Sequence, residues 1–247
     1  MAPVSGRVAL VTGATRGIAR GIALDLARQG WAVAISFRTD ARAAEVTRGA
    51  IEGAGAPALA IRADLGDAAE ARTLVGRVEA AWGRLDALVH GAGPYHDGPL
   101  LEETPERWRE TFRQNLDPLL FLAQAAAPGM QTRRWGRILG LGLATADRLA
   151  AQPNVTAYNI AKAGLLVLVR SLAKVLAPHG ITVNAVSPGI VQTEGRPRPE
   201  LDAFLPRIPA GHLGRVDDVV AAARFLLSDD ARYVTGANIH VSGGWGL

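Results

Sequence analysis

The chain has 247 residues, 49% of them apolar and 20% charged, enough apolar material for a large core and too little charge for a disordered chain. No apolar run reaches the length that crosses a bilayer, and the absence of cysteine removes disulfides, thiolate metal sites and thiol nucleophiles. The net charge of +4 and pI near 10.1 come almost wholly from arginine, since lysine occurs only at Lys162 and Lys174; the arginines are scattered among acids rather than gathered in a stripe, which argues against a nucleic-acid partner.

Met1 to Gly6 lead straight into an apolar strand pattern, with no basic segment, apolar stretch and cleavage site in series, so no signal peptide is expected and the compartment is read as cytoplasmic. From there β-branched runs alternate with Ala-rich helical stretches. Strands are predicted at Arg7–Val11, Ala32–Ser36, Ala58–Arg62, Ala87–Val89, Arg137–Leu141, Thr182–Val186 and Asn238–Val241. Helices are predicted at Gly17–Gln29, Ala41–Gly53, Ala68–Ala81, Pro105–Ala127, Thr156–Leu176 and Val216–Leu227. This alternation implies parallel β-α-β units in an α/β doubly wound sheet, with helices on both faces. No linker or repeat divides it, so residues 1–247 are read as one domain. The irregular stretch Val191–Gly211 is long enough to be a lid or binding loop.

The first strand runs into Thr12-Gly13-Ala14-Thr15-Arg16-Gly17-Ile18-Ala19 and then into a helix. Glycines at such a junction permit a tight turn and close approach of the backbone to a pyrophosphate, while the helix N-terminus offers unpaired N–H groups. Gly13, Thr15, Arg16, Gly17 and Ile18 are therefore candidate nucleotide contacts. Ala19 stands where a third glycine is often found. The second strand ends at Ser36-Phe37-Arg38 without an acid to hold a ribose diol, and Arg16 and Arg38 together suit a 2′-phosphate dianion. The expected cofactor is NADP(H). Asp64, after the third strand in Arg62-Ala63-Asp64-Leu65, is placed either for the adenine edge or to cap the next helix.

Tyr158 and Lys162 stand four residues apart in a helical stretch and so share a face. A phenol at its ordinary pKa of ~10 exchanges protons poorly at neutral pH. An ammonium beside it favours phenolate, so the pair is expected to lower the Tyr158 pKa and to act in proton transfer. No grouping of His, Asp and Glu has metal-ligand spacing.

Taken with Leu88-Val89-His90-Gly91-Ala92-Gly93, Asn115, Pro188-Gly189 with Thr193, and the closing Val234-Thr235-Gly236 to Gly243-Gly244, these ordered segments make the chain resemble a short-chain dehydrogenase/reductase over essentially its whole length. The resemblance implies a Rossmann-like, mostly parallel seven-stranded sheet and a bound nicotinamide nucleotide. It also implies a homotetramer, or a homodimer, built through the last strand and two long helices. By the same resemblance Tyr158 is the proton donor, and Lys162 holds the nicotinamide ribose. Asn115 supports a proton relay through water and Lys162. Leu65, Gly91, Ala92 and Gly93 lie along the adenosine, and Pro188, Gly189, Ile190 and Thr193 contact the nicotinamide end. Gly180-Ile181-Thr182-Val183-Asn184 and Arg38 fit the 3-oxoacyl-[acyl-carrier-protein] reductases in particular, which implies a small or carrier-linked carbonyl substrate.

The pattern is broken where the family places a serine after the fifth strand. Counted forward from Gly136-Arg137-Ile138 the position falls on Leu143; counted back from Tyr158 it falls on Thr145. The two share strand parity, and Thr145 is taken as the hydroxyl donor, with Asp147 as another polar candidate. His90-Gly91-Ala92-Gly93 replaces an Asn-Asn-Ala-Gly signature, with His90 read as structural and His96 as an exposed loop residue. Two other readings stand beside a carbonyl reductase: a pteridine- or dihydrofolate-type reductase, and a catalytically weak NADP(H)-binding sensor.

Overall fold

In a computed structural model describing residues 4, 6–194 and 197–246, seven strands form one sheet in the order β3-β2-β1-β4-β5-β6-β9. Residues 1–3 and 5 of the opening stretch, and 195–196 of the Val191–Gly211 excursion, lie outside the described residues. The strands are β1 (Val8–Thr12), β2 (Ala32–Phe37), β3 (Ala58–Arg62), β4 (Ala87–His90), β5 (Gly136–Leu141), β6 (Ile181–Pro188) and β9 (Asn238–Val241). Every pairing is parallel. The expected boundaries hold to within two residues; β1 begins and ends one residue late.

Strand side chains alternate between two cores. Val8, Leu10, Leu88, Ile138 and Val183 pack beneath α3 (Ala68–Trp82), α5 (Asp117–Arg133) and α6 (Thr156–Leu176). Ala9, Val11, Val89 and Leu139 face α1 (Gly17–Arg28), α2 (Ala41–Gly53) and α8 (Val216–Leu227). Burial on both faces is why these strands read as continuous apolar runs.

The single helix expected over Pro105–Ala127 is two: α4 (Pro105–Asn115) and α5 (Asp117–Arg133), broken at Leu116 with φ −116° and ψ −57°. Pro118 opens α5, and proline has no N–H to continue the ladder from Gln114. The helix then runs through Pro128 to Arg133 rather than stopping at Ala127. Met130, fully buried in the core beyond the proline, supplies packing that outweighs the missing backbone bond. The Val191–Gly211 excursion carries β7 (Val191–Gln192), which pairs with β8 (Gly214–Arg215), and the short α7 (Arg198–Asp202).

The chain fills β1 to β3 outward in one direction and restarts at β4 on the other side of β1. The switch point between β1 and β4 opens a crevice at the carboxyl ends of the strands, where open α/β sheets bind ligands. Among the described residues no helix is long and apolar enough to cross a membrane, and no three or more His, Asp or Glu gather as metal ligands.

Candidate active site

A cleft of about 1250 Å³ occupies this crevice and is lined by segments from nearly every β–α junction. At its floor Thr12 ties the two switch-point strands together. Its hydroxyl accepts from the N–H groups of Gly91 (3.2 Å) and Ala92 (3.3 Å) and lies 3.2 Å from His90 Nδ1. Gly13 has φ +67°, and a Cβ there would stand 2.7 Å from the Ala92 Cα, so only glycine fits this turn. Gly17, at φ +60°, starts α1. No side chain caps that helix and its first turn carries no acid, so its leading N–H groups and dipole stay available to an anion. Gly13, Thr15, Arg16, Gly17 and Ile18 all line the cleft. Ala19 is accommodated because the residue facing it is Gly91, where a Cβ would come within 2.8 Å of the Ala19 methyl.

Next to this turn the cleft is lined by Ser36, Phe37, Arg38, Thr39, Asp40, Ala63 and Leu65. Arg38 is not a free cation: its Nη1 bonds Glu110 at 2.9 Å. Arg113, and then Arg38, hold the Glu110 carboxyl below its usual range against the opposing effect of burial. Asp64 does not line the cleft. Its carboxylate accepts from Arg113 (3.1 Å) and Gln114 (2.9 Å), on α4. Burial pushes its pKa up, but the bonds from Gln114, the Gly66 N–H and Arg113 outweigh that and hold it low. It is not the helix cap either, since Asp67 accepts from the N–H groups of Ala69 and Glu70. Asp40, an acid that sequence reasoning passed over, lines the cleft while its carboxylate caps α2 through Ala43 N at 2.9 Å.

Tyr158 and Lys162, on the first turns of α6, both line the cleft. Lys162 is 5% exposed; its Nζ donates to the Leu141 carbonyl at 2.9 Å and lies 5.5 Å from the centre of the Tyr158 ring. Tyr95 meets Tyr158 edge-on, with ring centres 5.2 Å apart. The expected fall in the Tyr158 pKa is reversed: burial, with Tyr95 adding to it, pushes it up to about 12. Burial also depresses Lys162 to about 8. Desolvation exceeds the pull of an ammonium that is directed at a backbone carbonyl rather than at the phenol.

Leu143 and Thr145 both line the cleft, as their shared parity required. Thr145 is 9% exposed, and its hydroxyl makes no hydrogen bond among the described residues. Asp147 is drawn away: its carboxylate lies 2.7 Å from His240 Nε2 and accepts from Asn238 Nδ2 at 3.2 Å. Asn115 is fully buried behind the cleft, with Nδ2 donating to the carbonyls of Pro94 (3.1 Å) and Thr111 (3.0 Å) and Oδ1 left without a partner. His90 is likewise buried, pushed down to about 3 by burial and by the Lys162 charge, against the Asn115 carbonyl. It is a neutral structural side chain. His96 is exposed and outside the cleft.

Gly91, Ala92, Gly93, Pro188, Gly189, Ile190 and Thr193 complete the lining as expected. Sequence reasoning missed Arg148, Phe204, Arg207, Trp245 and Gly246, which wall the cleft from irregular segments. The Leu143–Asn154 stretch and the excursion pointed to the neighbourhoods of Arg148, Phe204 and Arg207 without singling them out, and nothing pointed to Trp245 or Gly246.

A family model described as Enoyl-(Acyl carrier protein) reductase matches residues 13–246. The chain is 36% identical over 239 residues to the 3-oxoacyl-[acyl-carrier-protein] reductase FabG of Staphylococcus aureus (strain Mu50), covering 96% of each chain. It is 35% identical over 243 residues to the FabG of Escherichia coli (strain K12), covering 97% of each. A short chain dehydrogenase from Burkholderia cenocepacia in complex with NADP superposes with a TM-score of 0.91 at 35% identity, over 98% of both chains. A blue fluorescent protein from a metagenomic library in complex with NADPH does so with a TM-score of 0.91 at 34% identity, again over 98% of both.

Proposed function

The chain belongs to the short-chain dehydrogenase/reductase family, and from that premise we propose that it is an NADP(H)-dependent reductase of a carbonyl substrate, with Tyr158 as proton donor. The observation that carries this reading is the meeting, in one cleft, of the Gly13–Ile18 turn with Tyr158 and Lys162. The residues present fit a dinucleotide. The turn keeps its tight bend because Gly13 has no Cβ to strike the Ala92 backbone, and α1 presents an uncapped N-terminus beside it. Gly13 to Ile18 would hold the pyrophosphate, and Arg16 and Arg38 a 2′-phosphate. Leu65 and Gly91 to Gly93 would lie along the adenosine. Pro188 to Ile190, Thr193 and Lys162 would hold the nicotinamide half. When bound, the nicotinamide supplies the hydride that converts C=O to CH–OH.

The protein's own residues supply the rest. Tyr158, with its pKa near 12, carries its proton throughout the neutral range and delivers it to the substrate oxygen as negative charge develops there. The Thr145 hydroxyl, unengaged among the described residues, donates to the same oxygen and takes the part of the missing serine. Lys162 keeps a positive charge beside the phenol after the proton leaves. A 3-oxoacyl thioester is the first substrate to test, given the named activity of the FabG relatives.

The test is a Tyr158→Phe variant assayed for NADPH oxidation with acetoacetyl thioesters and small ketones, with cofactor binding followed by NADPH fluorescence. Turnover is expected to fall by roughly 10²–10⁴-fold with binding retained. Turnover equal to wild type overturns the role given to Tyr158.

A further inference from the structure

Two cations in the substrate half of the cleft have no role in that reaction. Arg148 ends the short turn Ala146–Arg148, which follows directly on Thr145, and Arg207 ends the turn Leu205–Arg207 in the excursion after β7. Both line the cleft. The guanidinium of neither makes a hydrogen bond or ion pair with any described residue, although both backbone N–H groups bond within their turns. Of the four described arginines that line the cleft, Arg38 is paired with Glu110 and Arg16 stands at the glycine turn, which leaves these two for the other half.

The acids that would neutralise them are occupied. Asp147, adjacent to Arg148, is held by His240 and Asn238 on the edge strand. Asp202 pairs with Arg198 at 2.6 Å and Glu194 with Arg20 at 3.3 Å. Asp97 is the remaining carboxylate among the residues lining this part of the cleft, so two guanidinium groups face one carboxylate. The Asp147–His240 contact also pins the turn, so Thr145 and Arg148 stay on the cleft side while the acid between them faces away. Leu143, Val155, Phe204 and Trp245 line the same cleft. Phe204 and Trp245 pack against the small core of Leu201, Ile208 and Leu213, which fixes the excursion that carries Arg207. Both arginines are exposed in the open cleft, so an ion pair there strengthens only as a bound substrate displaces water against these apolar side chains.

We infer that the substrate carries an anionic group, a carboxylate or a phosphate ester, received by Arg148 and Arg207 while its carbonyl faces Thr145 and Tyr158. The inference rests on the reductase reading for the second half of that statement only. The planar guanidinium fork matches both anions, and two forks on separate walls can grip a group that one exposed pair could not hold. The anion has two sources: the free carboxylate of a small oxo acid, or the phosphate on the prosthetic arm of a carrier.

The experiment compares a 3-oxo acid with its methyl ester, and a phosphate-bearing acyl thioester with a truncated thioester lacking the phosphate. It uses wild type, Arg148→Ala, Arg207→Ala, the double variant and Arg207→Gln. The expected result is that the acid-to-ester or the phosphate-to-truncated ratio of kcat/KM falls at least about tenfold in the double variant, the scale of one lost charge-assisted hydrogen bond. Whichever ratio falls identifies the source. Calorimetric titration of the saturated analogue of each anion into the NADPH-loaded protein, which needs no turnover, should show the same loss, and wild-type binding should weaken between about 50 and about 500 mM salt. Both ratios and both affinities unchanged within about twofold would overturn the inference. If wild type turns over none of the four compounds yet binds an anion through these arginines, the reductase reading fails and the anion site stands.

Discussion

Replacing Lys162 by methionine should stabilise the fold while removing its activity. The ammonium is buried with one hydrogen bond, to the Leu141 carbonyl, and pairs with no carboxylate among the described residues. Burial brings its pKa from 10.5 to about 8, a fall equivalent to roughly 3 kcal/mol of disfavoured charge. The lost bond to Leu141 works the other way by about 1.5 kcal/mol. A methionine of similar length fills the space without the charge, so the variant is expected to gain roughly 1–2 kcal/mol at pH 7, a few degrees in Tm for a chain of this size. The sign has a pH signature. Below the folded-state value near 8 both folded and unfolded chains hold the proton, and the penalty is complete. Between there and 10.5 the unfolded chain holds a proton that the folded one has released, so wild-type stability gains from rising pH, and above 10.5 the penalty is gone. Urea unfolding of both proteins at pH 7 and pH 10, taken as the difference between them, isolates this group from the others that titrate. The variant's advantage should be present at pH 7 and lost or slightly reversed at pH 10. A variant less stable than wild type at pH 7, or a difference that ignores pH, would refute the argument that the amine is kept against the interests of the fold.

Two other outcomes bear on the site directly. Thr145→Val should lower kcat by roughly 10²-fold with NADPH affinity intact, because it removes a donor to the substrate oxygen while keeping the side-chain shape; unchanged kcat in steady-state assays would assign that role elsewhere. Arg38→Ala should weaken NADPH binding by about tenfold and leave NADH binding nearly as it was, measured by fluorescence titration; an equal loss for both cofactors would show that the side chain acts through Glu110 and α4 rather than through the 2′-phosphate.

What the sequence disclosed and what it hid divide along the range of the interactions. The glycine turn and the Tyr158–Lys162 pair are set by spacings of four residues or fewer, and both stand where their patterns put them. The parallel sheet followed from alternation alone. The helix break at Leu116 escaped notice because apolar residues at helical spacing continue across it, Trp108 and Phe112 before and Leu119, Leu122 and Ala126 after, although Pro118 was the available signal. Arg38 and Asp64 are partnered by residues of α4, 72 and 49 positions away. No local pattern reports such a pairing, so one arginine looked free and one acid looked available. Tyr158 is the instructive error: the sequence shows an ammonium one turn away, but not that its Nζ is turned to Leu141, nor that burial desolvates the phenol and the neighbouring Tyr95 hydroxyl further disfavours its ionisation.

Two departures from the family pattern that look separate in the sequence are one in space. Ala19 adds a methyl group where a third glycine is often found, and His90-Gly91 takes the place of two asparagines more than seventy residues on. Gly91 packs against Ala19, and a Cβ on it would lie 2.8 Å from the Ala19 methyl, 3.1 Å from the Thr12 carbonyl oxygen and 3.2 Å from Leu141. A side chain at either position is tolerated only if the other gives it up, so the methyl gained on the helix is matched by the side chain lost from the β4 loop. The amide side chains that would have braced that loop are then replaced from the opposite strand. The Thr12 hydroxyl takes both the Gly91 and Ala92 N–H groups, and His90, neutral and buried, fills the space beside it. The nucleotide cradle therefore keeps its shape through a different set of contacts, and its glycines are read correctly only as members of facing pairs.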